Sequence, residues 1–143
     1  MSAALTRNAT DVRKNFRQFF DQVLHEKPQA IVRHGDDMVL ALSLKHLEAM
    51  LDSIDFTMEV EQEPDGSVSG SVLELPVCEN ASSTEELELA LARGLVDYAD
   101  VYLSEFERCF HSPNLRKQFA HVMKVYLQPT VEAVASLING QPC

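Results

Sequence analysis

Hydrophobic residues recur at helical spacing in the segment from Thr10 to His25. Their intervals place them on one face of a helix. They are Val12, Phe16, Phe19, Phe20, Val23 and Leu24. Thr10 can cap this helix, Asp11 suits the positive end of its dipole, and Lys27-Pro28 stops it. The same spacing puts three basic residues mostly on the polar face, namely Arg13, Lys14 and Arg17.

A hairpin and a second helix are predicted after Pro28. The apolar runs 29–33 and 38–42 flank His34-Gly35-Asp36-Asp37, a turn in which glycine supplies the positive φ. Ser43 can then cap a helix whose apolar residues are Leu44, Leu47, Met50, Leu51 and Ile54. A unit of about 55 residues buries only a modest core unless it pairs with another copy, so we expect a dimer.

The pattern changes to strict alternation from residue 55 onward. Phe56, Met58 and Val60 alternate with polar residues, and Pro64-Asp65-Gly66 turns the chain into the run 68–73. This pattern predicts a second hairpin with one solvent-exposed face. A corner at Glu74-Leu75-Pro76-Val77-Cys78 follows it.

Helices are predicted for the remainder of the chain. Ser83-Thr84-Glu85-Glu86 matches a capping box and opens a helical pattern that continues to Phe106, weakened only locally by Gly94. His111-Ser112-Pro113-Asn114 breaks the pattern. Further helices are expected through 119–126 and 131–138, with a loose end at 139–142.

Composition changes this picture chiefly through its charge distribution. The chain has 143 residues, 45% of them hydrophobic, which suits one ordinary domain or two small ones. Its net charge is −10, yet residues 1–54 hold seven basic and seven acidic residues, so the whole excess lies in 55–143. Met1 to Thr10 lacks an apolar run, and no stretch approaches the roughly 20 apolar residues of a membrane span. We therefore expect a cytoplasmic protein that makes no membrane contact.

The three cysteines are odd in number and widely spaced, without a CxxC motif. This pattern favours neither a disulfide framework nor a zinc site. We expect reduced thiols, with Cys78 and Cys109 as small buried residues and Cys143 in a frayed tail.

The segment Ala9-Thr10-Asp11-Val12-Arg13-Lys14-Asn15-Phe16 resembles the opening helix of the Phd/YefM antitoxin family. The match continues through Ala30-Ile31-Val32-Arg33-His34-Gly35 and Met38-Val39-Leu40-Ala41-Leu42-Ser43-Leu44, so it covers about residues 5–54. The resemblance implies a dimer whose N-terminal helices and hairpins present a basic surface to operator DNA. Ser2-Ala3-Ala4-Leu5-Thr6 departs from the family because it is a poor strand sequence.

The resemblance gives DNA-binding roles to six residues. The side chains of Arg13, Lys14, Arg17 and Arg33 can neutralise phosphates, while those of Thr10 and Asn15 can donate hydrogen bonds to a phosphate or a base edge. The alternative is an ordinary solvated helix face, where charges are commonly found.

Residues 55–103 resemble the HicB-type antitoxin, a partial RNase H-like layer of sheet and helix. The segments that carry this likeness are 56–72, Glu74-Leu75-Pro76-Val77-Cys78 and Ser83-Thr84-Glu85-Glu86-Leu87. The helices after His111 have no counterpart in it. This patterned part stands where a typical Phd/YefM protein has a flexible toxin-binding segment.

An RNase H-like nuclease would need carboxylates converging on metal ions. Glu59, Glu61 and Glu63 share a strand face and Asp65 follows, but alternation puts these acids on the solvent side. The five histidines are scattered, and no glycine loop could cradle a phosphate. We therefore predict no enzyme, no cofactor and no metal.

Together these patterns predict an α+β protein with two domains. Residues 1–54 form a Phd/YefM-like helix–hairpin–helix unit for DNA binding and dimerisation, and residues 55–143 form an acidic HicB-like domain with extra C-terminal helices. We expect an antitoxin-like autorepressor that binds operator DNA as a homodimer or higher oligomer. Its C-terminal domain would bind a basic toxin of the RelE/ParE kind or another ribonuclease. The alternative is an acidic protein–protein interaction module in which the Phd-like part serves only for dimerisation.

Overall fold

The structure, a computed structural model, describes residues 6–35 and 37–139 and is mixed α and β. The chain separates into two compact units, which we call the N-terminal unit (Met1–Leu51) and the C-terminal unit (Asp52–Cys143). Within the described residues, no helix has both the length and the apolar character that crossing a membrane requires.

The described residues of the N-terminal unit form three strands and three helices. In chain order they are β1 (Thr6–Asn8), α1 (Ala9–Lys14), α2 (Phe16–His25), β2 (Gln29–Arg33), β3 (Asp37–Ala41) and α3 (Leu44–Met50). The sheet order is β1-β2-β3, with β1 parallel and β3 antiparallel to β2. The hairpin is thus confirmed, and so is the Ser43 cap, whose hydroxyl oxygen accepts the His46 N–H at 3.3 Å.

The predicted helix from Thr10 to His25 is two helices rather than one. Asn15 separates them with φ −123° and ψ 41°, a conformation outside the helical region. Asparagine favours such breaks because its side chain competes with the helix for backbone groups. Asn8, rather than Thr10, caps α1, since its side-chain oxygen accepts the Thr10 N–H at 2.8 Å. The third helix also ends sooner than predicted, at Met50 rather than Ile54.

The N-terminal unit has a small core and a large exposed apolar surface. Val12, Phe19 and Val23 form the core, against which Ile31 and Ala41 pack. The large apolar side chains that stay exposed, here called the apolar surface, are Phe16, Phe20, Leu24, Met38, Val39, Leu40, Leu44 and Met50. Half of the apolar helix face that the sequence predicts therefore points away from this unit's own core.

The C-terminal unit begins with an antiparallel sheet of three strands, one more than the predicted hairpin. These are β4 (Met58–Gln62), β5 (Val68–Val72) and β6 (Val77–Ala81), in that order across the sheet. Gly66 has a φ of 90° in the turn between β4 and β5. The hydroxyl and backbone N–H of Ser67 donate hydrogen bonds to Asp65 there, and they lower the pKa of that carboxyl.

The predicted corner at residues 74–78 leads directly into β6, which the sequence analysis missed. Cys78 lies on this strand and is exposed, so the expectation that it is buried is wrong. Cys109 is buried as expected, and both thiols are free. The predicted loose end began at Asn139, but that residue is the last of a helix in the structure. Residues 140–142 of the predicted loose end and Cys143 lie outside the described residues, as do Asp36 and Ser2 to Leu5 of the poor strand sequence.

Five helices follow the sheet in the described part of the chain, which ends at residue 139. They are α4 (Thr84–Ser104), α5 (Phe106–His111), α6 (Pro113–Arg116), α7 (Phe119–Tyr126) and α8 (Val131–Asn139). Ser83 caps α4 as predicted, because its hydroxyl oxygen accepts the Glu86 N–H at 3.2 Å. The long helical pattern does not run through Phe106, since Glu105 leaves the helical conformation with φ −116° and ψ 35°.

Helix α4 lies at the centre of the second core. Leu87, Leu91 and Leu95 are fully buried along it, between the sheet and the C-terminal helices. Gly94 permits the close approach, because a Cβ atom there would lie 2.6 Å from Cγ1 of Val77. Tyr102 is buried farther along α4, donates a hydrogen bond to the Leu115 carbonyl at 2.8 Å, and has a raised pKa chiefly because of burial.

The first residues of the C-terminal unit are held by α7. The Lys124 ammonium donates to the carbonyl of Ile54 at 2.6 Å and lies 3.5 Å from that of Asp52. His121 Nε2 lies 2.9 Å from the Asp55 carbonyl, and its ring meets Phe56 edge-on at 5.1 Å. The stretch 52–56 therefore belongs structurally to this unit.

Candidate nucleic-acid interface

Five of the six predicted DNA-binding residues lie within α1, the break at Asn15 and the first turn of α2. All five side chains are exposed. They are Thr10, Arg13, Lys14, Asn15 and Arg17. Because the break lies between the two helices, Lys14 at the end of α1 and Arg17 in the first turn of α2 lie on either side of Asn15.

Lys14, Asn15 and Arg17 line the same open groove, which has a volume of about 700 Å³. The Asn15 side-chain N–H donates only a long hydrogen bond, 3.4 Å, to the Asp11 carbonyl. Its amide is thus loosely held, and the groove combines a hydrogen-bonding group with two cations. Asp21 and Glu26 also line the groove, so its two cations near the break are matched by two carboxylates farther along the chain.

Arg33 lies at the end of β2, apart from that groove. The strand register pairs Asn8 with Val32, which places the Arg33 backbone near the start of α1. Its guanidinium forms an exposed ion pair with Asp37, its cross-strand partner, at 3.0 Å. The predicted cations therefore lie near opposite ends of α1, a helix about 9 Å long at 1.5 Å per residue.

Arg7 is a further cation near this region that the sequence analysis did not single out. It lines a smaller groove, of about 250 Å³, with Asp11 and Asn15. Its guanidinium donates to the carbonyl of the preceding residue at 3.1 Å. Its position on β1 directly before α1 is the signal that could have identified it.

The carboxylates proposed for a nuclease do not form a metal site. Glu59 and Glu61 lie on the sheet face turned away from α4, while Asp65 is held in the turn by Ser67. Across residues 6–35 and 37–139, no group of three or more His, Cys, Asp or Glu side chains could hold a metal ion.

Residues 4–140 match the PHD-like family model, which is described as the antitoxin of RelE/RelB toxin–antitoxin systems. The chain belongs to this antitoxin family. A crystal structure from Syntrophomonas wolfei subsp. wolfei, described as the antitoxin part of a proposed toxin/antitoxin system, superposes on the antitoxin with a TM-score of 0.85. The two are 28% identical over 93% of this chain and 95% of the other. No curated protein matches the chain.

Membership in this family confirms the predicted antitoxin function and the α+β class at the level of the whole chain. It also implies that the antitoxin has a cognate toxin, for which the family description names the RelE type. Family and structural neighbour together indicate a regulatory protein.

Proposed function

We propose that this antitoxin binds the operator of its own gene as a dimer through the N-terminal unit and binds its toxin through the C-terminal unit. The observation that carries the proposal is the group of exposed cations around the Asn15 break, in a unit that also exposes a large apolar surface. Operator binding would make the antitoxin an autorepressor acting in the cytoplasm.

The apolar surface supports dimerisation. Phe16 and Phe20 are 57% and 51% exposed on α2, and their rings lie 5.9 Å apart, so they form one continuous patch. Val39 is 64% exposed on β3. Contiguous apolar patches of this kind on a small unit mark an interaction surface. A second copy would bury them, as the modest core of this unit requires.

The cations support contact with the DNA backbone. Arg13, Lys14 and Arg17 can each neutralise a phosphate, and a dimer presents every contact twice. Asn15 and Thr10 can hydrogen-bond to phosphate or to a base edge. Because the first 54 residues carry no net charge, binding depends on this local clustering rather than on a general positive field.

The acidic charge of the C-terminal unit supports toxin binding. Residues 55–143 hold five basic and fifteen acidic residues. A field of this sign would steer a basic ribonuclease toxin of the RelE/ParE kind toward the unit. We propose that DNA binding belongs to the Phd/YefM-like N-terminal unit and toxin binding to the HicB-like C-terminal unit, with the boundary between Leu51 and Asp52.

A titration of the full-length antitoxin with fluorescent DNA from upstream of its own gene tests operator binding. We expect tighter binding than to random DNA of equal length, with affinity falling as salt increases. Arg13→Ala with Arg33→Ala removes four cations per dimer, so the slope of log affinity against log salt should fall by about three to four. Equal affinity for random DNA, or no salt dependence, would contradict the repressor function.

A matched control is available in the same unit. Lys27→Ala with Lys45→Ala removes the same number of charges from exposed positions outside the proposed interface. We expect this variant to bind nearly as the wild type does. Equal losses in both double variants would show that only total charge matters. Sedimentation of each variant checks that the dimer persists.

A second candidate is a protein–protein interaction module whose N-terminal unit only dimerises. The Arg33–Asp37 ion pair favours it, because this pair occupies one of the proposed phosphate contacts. The same titration decides between the two functions, since the module would leave operator and random DNA equally unbound.

A further inference from the structure

Strand β4 forms an open edge of the C-terminal sheet. Within the described part of the chain, β5 is the only strand that pairs with it. Backbone hydrogen bonds join Glu63 to Ser67 and Leu73 to Thr57, so the odd-numbered residues of β4 point their backbone groups toward β5. The backbone N–H and C=O groups of Met58, Val60 and Gln62 therefore point outward, as a template for another strand.

The side chains along this edge differ between the two faces of the sheet. Val60 pairs with Gly70, which packs under Leu87 of α4, so both lie on the face that α4 covers. Helix α4 packs on β5 and β6, however, and Val60 stays 43% exposed. Glu59 and Glu61 project from the opposite face. The edge thus offers the apolar side chains of Met58 and Val60 on one face and the carboxylates of Glu59 and Glu61 on the other.

We propose that β4 binds an extended basic segment of the cognate toxin as an added strand. Side chains of a strand alternate between faces, so the segment would alternate apolar residues, packed beside Val60, with Lys or Arg beside Glu59 and Glu61. Main-chain hydrogen bonds would supply affinity and the alternating side chains would supply selectivity. This inference rests on the proposed binding of a toxin by the C-terminal unit.

Charge repulsion disfavours a second copy of this chain as the strand added to β4. Two β4 strands paired antiparallel across a two-fold axis at Val60 would bring Glu59 of one copy beside Glu61 of the other on one face. Like charges directly opposite one another destabilise a strand pair. The β6 edge is less suitable, because Val77 is buried beneath α4 and no comparably exposed large apolar residue lies along that strand.

A peptide probe tests the edge without the toxin. A fluorescent ten-residue peptide of alternating Lys and Val is titrated into the full-length antitoxin, and amide hydrogen exchange is followed in the complex. We expect binding that slows exchange at the outward N–H groups of Met58, Val60 and Gln62. Binding without protection at these amides would overturn the proposal, because it would show attraction by charge alone.

Val60→Pro tests the same edge by mutation. The Val60 N–H points away from β5, so proline removes the outward donor without removing a bond of the sheet. We expect Val60→Pro to weaken peptide binding by about tenfold or more, whereas Val60→Thr, which keeps the N–H, loses only a few-fold. Retained affinity in a folded Val60→Pro variant would overturn the proposal. If that variant does not fold, protection of the wild-type amides still decides.

Charge-reversal variants test whether the toxin binds at the β4 edge. The purified protein encoded beside the antitoxin gene is titrated against Glu59→Arg with Glu61→Arg, and against Asp97→Arg with Asp100→Arg on the exposed side of α4. We expect a loss of about a hundredfold only in the first pair. Equal losses would assign binding to net charge and overturn the edge proposal. If the wild-type antitoxin does not bind this protein at all, the proposed toxin binding is overturned. The peptide experiment separately reports whether the β4 edge can accept a strand, so the two failures are distinguishable.

Discussion

The guanidinium of Arg33 lies 3.0 Å from a carboxylate oxygen of Asp37, its partner across the first hairpin. The two side chains are 70% and 64% exposed, and a pair in water contributes at most about 1 kcal/mol. A phosphate can therefore displace Asp37. We expect Asp37→Asn to raise operator affinity by about two- to fivefold in a fluorescence titration, because it removes both the competitor and a like charge to the DNA. Glu48→Gln, a change at an exposed position elsewhere in this unit, should have little effect on operator affinity. If Asp37→Asn also leaves operator affinity unchanged, Arg33 lies outside the interface.

Dimerisation should depend on the aromatic patch of α2. We expect Phe20→Glu to shift the antitoxin toward monomer in sedimentation velocity, since a carboxylate would have to be desolvated in the interface. Tyr126→Glu changes an equally exposed aromatic residue of the C-terminal unit and should leave the association state unchanged. A dimer of undiminished strength in Phe20→Glu would remove α2 from the contact.

The side chain of Gln29 is fully buried at the start of β2, and its amide has no hydrogen-bond partner among the described residues. Burying an unsatisfied amide costs roughly 1 to 3 kcal/mol. Methionine has a similar shape without that cost. We expect Gln29→Met to raise the free energy of unfolding by about 1 kcal/mol in urea denaturation. A loss of stability would show that a partner for this amide forms in solution.

Replacing Gly94 should destabilise the C-terminal unit although alanine is the better helix former. Alanine improves helix propensity by about 1 kcal/mol, but its Cβ would lie 2.6 Å from Cγ1 of buried Val77. Overpacking of this kind typically costs about 1 to 3 kcal/mol. We expect Gly94→Ala to lower the free energy of unfolding by about 1 kcal/mol. In a Val77→Ala background the same change should become neutral or stabilising; a penalty that persists there would point to a different cause.

Tyr102 should make stability depend on alkaline pH. Its hydroxyl donates to the Leu115 carbonyl, so Tyr102→Phe should cost about 1 to 2 kcal/mol near neutrality by leaving that carbonyl unsatisfied. Burial raises the pKa of Tyr102 above its ordinary value of 10.0, so the neutral phenol stabilises the fold below pH 10.0. That stability is lost as the pH rises through the raised pKa. The difference in free energy of unfolding between wild type and Tyr102→Phe, measured by urea denaturation, should therefore become smaller above pH 10.0. A difference that stays constant with pH would contradict this role.

Short sequence signals, such as capping serines and glycine turns, correctly predicted the helix starts and the hairpin that they form. Ser43 and Ser83 cap the predicted helices, and the first hairpin follows from two apolar runs around a glycine turn. The breaks at Asn15 and Glu105 were missed because hydrophobic spacing continues across both positions. Strand β6 was missed because only Val77 and Ala81 of its core-side positions are apolar, too weak an alternation to predict a strand.

The candidate site was predictable only in part. Exposure of the cations on α1 and α2 follows from helical spacing, and the structure agrees with it. The ion pair of Arg33 depends on the hairpin register, and the outward position of Phe16 depends on how α2 packs. Both are tertiary features, which spacing along the chain does not encode.

The hold of α7 on the start of the C-terminal unit has a consequence for synthesis. The carbonyl of Ile54 and the ammonium of Lys124 are 70 residues apart in sequence. Chains emerge from the ribosome N-terminus first, and domains fold as they appear. The stretch 52–55 thus stays unanchored until most of the later helices have been translated. The N-terminal unit, which we propose to dimerise, is therefore complete on the ribosome before the core of the C-terminal unit can close.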